Sequence, residues 1–116
     1  MPRKINHQIV VAPFPFDDLS ADKLRPALRV SRTIGVHRQV VLAYITSKMP
    51  AQLLSTDLIF DQTDADFFQT GLKTTSTLRL HLLYTIDNGM IARELGQLPD
   101  RFVPEVETRL RSLFDL

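Results

Sequence analysis

The chain has 116 residues, of which 44% are hydrophobic and 23% charged, and its formal net charge is +1. This length suits a single domain with its own core, and the balanced composition excludes a disordered chain or a strongly basic tail. Cysteine is absent, which excludes disulfides, zinc knuckles and thiol nucleophiles. The polar start MPRKINHQ leads into a short apolar run, so we expect no signal peptide or membrane span and a cytoplasmic protein.

The first strand pattern is QIVVAPFPF, residues 8–16. Pro13 and Pro15 interrupt it, and proline cannot donate to a ladder, so the strand should leave the sheet early. The polar segment DDLSADK, residues 17–23, is expected to form a loop.

Two further strands are predicted in the first half of the chain. PALRVSR, residues 26–32, alternates with Leu28 and Val30 on one face, and Pro26 should start this strand or sit on its edge. QVVLAYITS, residues 39–47, is β-branched and nearly all apolar, which favours a central strand. A turn containing Gly35 and His37 should lead into it.

The next segment combines strand patterns with one turn of helix. STDLIF, residues 55–60, indicates a strand, and DQTDADFFQTG, residues 61–71, indicates a single capped helical turn that ends at Gly71. TSTLRLHLLYTI, residues 75–86, is typical of a long alternating strand. We expect one face to carry Leu78, Leu80 and Leu82, and the other to carry Arg79, His81 and Leu83.

The C-terminal part contains the clearest helix. MIARELGQL, residues 90–98, fits either a strand end or a linker. PEVETRLRSLFDL, residues 104–116, predicts a helix with Pro104 in its first turn and an apolar stripe of Val106, Leu110, Leu113 and Phe114. Residues 1–116 should thus form one mainly β (α+β) domain, a small and partly open barrel of about five to seven strands with a C-terminal α-helix.

Several segments together resemble a known family. IVVAPFPFDDLSADKLRPALRVS, VVLAYITSK, GLKTTSTLRLHLLYTID and ARELGQL, followed by the final helix, are similar in order and spacing to the MazF/PemK toxins of bacterial toxin-antitoxin systems. LRPALRVS and ITSK carry the resemblance most sharply. It implies an SH3-like barrel of the CcdB/MazF/PemK type, a homodimer, a cognate antitoxin, and cleavage of single-stranded RNA without a metal or other cofactor.

The resemblance also implies an active site. The arginine of the Arg-Pro pair and the Thr-Ser pair that ends the later strand correspond to Arg25, Thr46 and Ser47. The family's reaction is attack of an RNA 2′-hydroxyl on its neighbouring phosphate, which leaves a cyclic phosphate and a 5′-hydroxyl. A guanidinium suits this reaction because it stays charged and offers forked donors to phosphate oxygens.

Further residues are expected to bind RNA. Arg79 matches a family arginine near the RNA, whereas His81 replaces the acid that often follows, and His7 and Gln8 replace a usual Gly-Asp pair. A histidine can move a proton near neutral pH or contact phosphate when charged. Among the aromatic residues, Phe14 and Phe16 are expected to contact RNA, by stacking on its bases, or a partner. Sequence-independent attraction to RNA is expected of Lys23, Arg29, Arg32, Lys48 and Lys73.

Two alternatives to the nuclease stay open. The same fold serves CcdB-like toxins, which bind DNA gyrase and perform no RNA chemistry. A degenerate member could keep the fold and bind a partner or DNA without cutting. The LRPALRVS and ITSK segments favour the nuclease, because they hold that branch's active-site positions. The three scattered histidines form no pattern of a metal site.

Overall fold

The computed structural model describes residues 7–15 and 23–116. Phe16 and most of the predicted loop at 17–23 lie outside the described residues. The described chain contains six strands: β1 (Gln8–Pro13), β2 (Leu24–Arg29), β3 (Gln39–Thr46), β4 (Asp57–Phe60), β5 (Ser76–Asp87) and β6 (Arg93–Gln97). One helix, α1 (Val103–Leu113), follows them, and short 3₁₀ turns occur at Phe67–Thr70, Asn88–Met90 and Asp100–Phe102.

The strands form one curled antiparallel sheet in the order β4-β5-β3-β2-β1-β6. The expectation of a mainly β fold with five to seven strands and a C-terminal helix is therefore confirmed. The segment at 90–98, for which strand and linker were both open, contains β6, which pairs with β1.

The sheet has a hydrophobic core on each face, because successive residues of a strand point to opposite sides. We call the first the helix-side core, since α1 packs on it; it contains Ile9, Leu28, Ala43, Ile45, Leu58, Phe60, Leu78, Leu80, Leu98, Phe102 and Val106. We call the second the aromatic-side core; it contains Val10, Ala12, Phe14, Ala27, Val40, Leu42, Tyr84 and Ile86.

An irregularity between β3 and β5 changes which leucines are buried together. Ala43 lies opposite Leu83, but the next residue, Tyr44, lies opposite Arg79, so β5 has extra residues at this point. Extra residues reset the alternation of side chains. Leu83 consequently packs with the helix-side core, and the expectation that Leu83 lies on the face opposite Leu78 and Leu80 is wrong.

Strand β2 begins earlier than the alternating pattern indicated. It starts at Leu24, so Pro26 is its third residue and neither starts the strand nor flanks it. Pro26 pairs with Val11 of β1, while pairing with β3 covers only residues 27–29 in the described chain. A proline fits inside this strand because one of its sides lacks a ladder there.

Helix α1 packs its first turns against the sheet. Pro104 lies in the first turn, Val106 is buried and Leu110 packs on the helix-side core. Phe114, however, is 57% exposed, so its place in the apolar stripe is wrong; the helix ends one residue earlier. No helix among the described residues has the length and apolar character needed to cross a membrane.

Two glycines allow the 3₁₀ turn at Phe67–Thr70 to lie directly on β6. Gly71 ends the turn with φ +73°, and a Cβ there would come within 2.1 Å of the Leu95 carbonyl oxygen. A Cβ at Gly96 would come within 2.2 Å of the Gln69 carbonyl oxygen. This backbone contact joins the segment after β4 to the opposite end of the sheet, and the predicted turn ending at Gly71 is confirmed.

Candidate functional site

A cleft of about 610 Å³ opens where β2 and β3 stop pairing. The last pair is Ala27 with Tyr44. Arg25 precedes Ala27 by two residues, Thr46 follows Tyr44 by two residues, and both line the cleft; the same register, if continued, would place them opposite each other. Residues two apart in a strand share a face, so Arg25 and Thr46 belong to the same side of the sheet.

Pro26 explains why the ladder ends at this place. The Val30 N–H donates to the Val41 carbonyl at 3.0 Å, while the Val41 N–H donates to Ser31 Oγ at 2.9 Å. Backbone N–H groups of a strand alternate in direction, so the N–H groups of Leu28 and then of residue 26 would be the next to point towards β3. Pro26 has no N–H and cannot donate to the Ile45 carbonyl opposite it. Beyond this point the strands part and leave the cleft between them.

The cleft is cationic. Four basic residues line it, namely Arg25, Lys48, Lys73 and Arg93. Its described lining includes no Asp or Glu. Hydroxyl groups are supplied by Thr46, Ser47, Thr74 and Ser76, and apolar surface by Val11, Leu24, Pro26, Ile45, Leu72 and Leu95. Cations and hydroxyls without carboxylates, around an apolar surface, suit an anionic ligand that also has apolar parts.

Thr46 is oriented by the turn that follows β3. Its Oγ1 accepts a hydrogen bond from the Lys48 backbone N–H at 3.1 Å. A hydroxyl has one proton to donate and two lone pairs, so this contact uses an acceptor site and leaves the proton. Thr46 can therefore donate to an oxygen of a ligand held between it and Arg25.

Three of the four basic side chains are available to a ligand. Lys48, Lys73 and Arg93 are exposed, and their side chains form no hydrogen bond or ion pair within the described parts of the chain. Arg29, by contrast, donates to Gln8 Oε1 at 3.2 Å and to Thr33 Oγ1 at 2.9 Å. The side chains of Lys48, Lys73 and Arg93 can therefore bind an anionic ligand in the cleft.

Arg79 and His81 lie away from the cleft lining and support the start of β4. The Arg79 guanidinium contacts both carboxylate oxygens of Asp57, at 2.9 and 3.3 Å, and the Asp57 side chain is fully buried. His81 Nδ1 and Thr56 Oγ1 are 2.7 Å apart. The Asp57 carboxylate also accepts from the Leu54 N–H at 2.9 Å. These contacts hold the segment that enters β4.

The structure thus brings only part of the predicted site together. Arg25, Thr46, Ser47 and Lys48 meet in the cleft, whereas Arg29, Arg79, His81 and the exposed Lys23 do not line it. The catalytic and RNA-binding roles of all these residues stay predictions. Arg93 was missed, because the segment before Gly96 fitted a linker as well as a strand. Only the pairing of β6 with β1 places Arg93 at the cleft.

Aromatic rings support one wall of the cleft. Phe14 stacks on Tyr44 with ring centroids 4.0 Å apart and meets Tyr84 edge-on at 5.5 Å. Phe14 is only 8% exposed, so its ring belongs to the core and the expectation that it stacks on RNA bases is not supported. Burial raises the pKa of Tyr84, which keeps its phenol neutral.

Metal coordination has no evident basis in the described chain. No group of three or more His, Cys, Asp or Glu residues there could hold a metal ion. The acidic pair Asp64 and Asp66 is instead bound by the Arg101 guanidinium, at 2.8 and 2.7 Å. Arg101 also lies 4.1 Å over the Phe102 ring.

The curled sheet, its C-terminal helix and the cationic cleft together define a small β protein whose cleft suits an anionic ligand. A family model described as the PemK-like, MazF-like toxin of type II toxin-antitoxin systems matches residues 6–114. Because this match spans nearly the whole chain, the protein belongs to that toxin family. No curated protein matches the chain significantly.

Solved structures agree with this fold. The Mycobacterium tuberculosis toxin MazF-mt6 is 26% identical and superposes with a TM-score of 0.68, covering 94% of this chain and 97% of that one. An endoribonuclease in complex with its cognate antitoxin, from a mycobacterial species, is 16% identical with a TM-score of 0.70 and coverages of 98% and 97%. A further mycobacterial endoribonuclease is 18% identical with a TM-score of 0.69 and coverages of 100% and 95%.

Proposed function

We propose that this toxin is an endoribonuclease that cleaves single-stranded RNA in the cleft between β2 and β3. The observation that carries the proposal is that Arg25 and Thr46 line one cleft, whose described lining has four basic residues and no acid. Family membership and the similarity to endoribonuclease structures support the same activity. RNA supplies both the anionic phosphates and the apolar base surfaces that the cleft suits.

In the proposed reaction, a bond forms between the 2′-oxygen and phosphorus while the bond from phosphorus to the 5′-oxygen breaks. The products are a 2′,3′-cyclic phosphate and a 5′-hydroxyl, and the net proton movement is from the 2′-oxygen to the 5′-oxygen. Arg25 stabilises the charge on the phosphate oxygens in the transition state, and Thr46 donates its hydroxyl proton to one of them. Ser47 adds a second hydroxyl at the same wall.

The partners of the chain follow from its class. We propose that it acts in the cytoplasm as a homodimer and is neutralised by a cognate antitoxin. An acidic segment of that antitoxin would be attracted to the cleft by Lys48, Lys73 and Arg93, and would exclude RNA from it. The similarity to an endoribonuclease that is bound to its antitoxin supports this partner.

The test is incubation of the purified protein with a long single-stranded RNA in the presence of a chelator, with mapping of the ends produced. Wild type should cut at defined sites and leave 5′-hydroxyl ends. Arg25→Ala and Thr46→Ala should lose the cuts, whereas Arg111→Gln, which removes a charge on α1 outside the cleft, should keep them.

Intact RNA after incubation with folded wild type would refute the nuclease. The same preparation would then be tested for binding to DNA gyrase.

A further inference from the structure

The cleft has basic residues on two sides. Arg25 and Lys48 lie on the side of β2 and β3, whereas Lys73 and Arg93 come from the segment after the 3₁₀ turn and from β6. The backbone contact of Gly71 with Leu95 brings the second pair together. Lys73 follows Gly71 by two residues, and Arg93 precedes Leu95 by two residues.

The register of the sheet sets the separation of the two sides. Arg93 pairs with Val11, and Val11 pairs with Pro26, the neighbour of Arg25. Two strand spacings place the backbones of Arg93 and Pro26 on the order of 10 Å apart. Apolar surface from Leu72 and Leu95 belongs to the same cleft. A ligand that fills the cleft can therefore place separate anionic groups at its two sides.

We propose that Lys73 and Arg93 form a second phosphate-binding subsite, which holds a phosphate of the RNA other than the one that is cleaved. This inference rests on the proposed function, since it takes single-stranded RNA as the ligand. Both side chains are exposed and uncommitted, and an arginine fork with a lysine ammonium suits phosphate oxygens. The subsite positions the substrate and takes no part in bond breaking.

A positioning role separates these residues from Arg25 in kinetics. A phosphate contact that is equally strong in the ground state and the transition state raises KM when it is lost and leaves kcat unchanged. Lys73→Gln and Arg93→Gln should therefore raise KM, whereas Arg25→Ala should lower kcat.

The direct test is binding of a fluorescein-labelled, mixed-sequence 2′-O-methyl RNA over a series of salt concentrations. The blocked 2′-oxygen prevents cleavage during the measurement. Each lost phosphate contact on a single strand should reduce the slope of log K against log salt by about 0.7, so the Lys73→Gln/Arg93→Gln double variant should lose about 1.4. Arg111→Gln serves as the matched control and should keep the wild-type slope.

The outcomes for the subsite and for the nuclease are distinct. A double variant with the wild-type slope would overturn the subsite, and so would a wild type that fails to bind the RNA. Wild type that binds with a slope dependent on Lys73 and Arg93, but leaves ordinary RNA uncut, would support the subsite and refute the nuclease. Equal thermal midpoints of the variants and the control exclude unfolding as the cause.

Discussion

Pro26 of β2 stands opposite Ile45 of β3 at the first position where the ladder between these strands is missing. The hydrogen-bonding phase set by Val30 and Val41 would require an N–H from residue 26, which proline lacks. The residues beyond this position, Arg25 and Thr46, both line the cleft. Proline thus acts on the site through the backbone, in addition to restricting the conformation of Arg25 before it.

Pro26→Ala should allow the ladder to extend by one pair and narrow the cleft. The new N–H at position 26 should then exchange slowly with solvent, in step with the amide of Leu28 in the same strand. RNA cleavage should fall although the thermal midpoint is maintained or raised. Hydrogen exchange measured by NMR, together with a cleavage assay, checks both parts. Fast exchange at position 26 with normal cleavage would contradict this account of the cleft.

The hydroxyl of Thr46 gives a second prediction. Thr46→Val keeps the branched shape and removes the donor, whereas Thr46→Ser keeps the hydroxyl and its bond to the Lys48 N–H. Loss of one donor to a transition-state oxygen costs on the order of 10² to 10³ in rate, so Thr46→Val should be slowed by about that factor. Thr46→Ser should stay within about tenfold of wild type. Single-turnover cleavage of one RNA decides, and equal rates for both variants would exclude the donor role.

Local sequence patterns were sufficient to predict which segments form these strands and the C-terminal helix. The alternation in β2, the apolar run of β3 and the stripe at Val106 and Leu110 depend on neighbours in sequence, and the structure confirms these elements. The face of Leu83 could not be predicted. The irregularity that resets the alternation arises from how β3 pairs with β5, and a single strand carries no signal of it.

The residues of the candidate site were likewise only partly predictable from the sequence. Arg25 and Thr46 were identified from a family resemblance, yet their place at one cleft depends on a long-range pairing that spans the turn at Gly35. Arg93 lies on a short edge strand with little alternation, so its segment fitted a linker equally well. Its place at the cleft depends on pairing with β1 and on the close approach of Gly71 to Leu95. The residues of β6 alone predict neither the pairing with β1 nor the contact with Gly71.

The contact between Gly71 and β6 can be tested with alanine. Gly71 and Gly35 have nearly the same φ, +73° and +72°, but a Cβ at Gly35 would meet no atom within 4 Å. Gly35→Ala should cost about 1 kcal/mol of stability from the backbone conformation alone. Gly71→Ala should cost that amount and a further 1 to 3 kcal/mol, roughly, from the clash with the Leu95 carbonyl.

Urea denaturation of the two variants gives the comparison, with Gly89→Ala as a reference, since that glycine has open space and no positive φ. Equal losses at Gly71 and Gly35 would show that the 3₁₀ turn moves away from β6 at little cost.

Arg79 offers a test that separates stability from RNA binding. It is the ionic partner of the fully buried Asp57 carboxylate, and removal of one member of a buried pair costs about 3 to 5 kcal/mol. Arg79→Gln should therefore lower the free energy of unfolding while the salt slope of RNA binding stays at the wild-type value. Denaturation measures the change in stability, and the salt series on the same preparation measures the change in RNA binding. A reduced slope, by about 0.7, would instead support the predicted contact of Arg79 with RNA.

The anchor of the 3₁₀ turn should be sensitive to acid. The hydrogen bond from Arg101 lowers the pKa of Asp66 below its ordinary value of 3.8 in the folded chain. A carboxyl whose folded pKa is lowered stabilises the fold above its unfolded pKa, and this contribution is lost as pH falls through the folded pKa. Asp66→Asn should therefore reduce stability at neutral pH, and wild type should approach the variant only below about pH 4. Thermal unfolding from pH 7 to pH 2 measures the difference, and Asp115→Asn, at an exposed position outside this cluster, is the matched control. A stability difference between wild type and Asp66→Asn that is constant across this range would show that ionisation of the Asp66 carboxyl is not its cause.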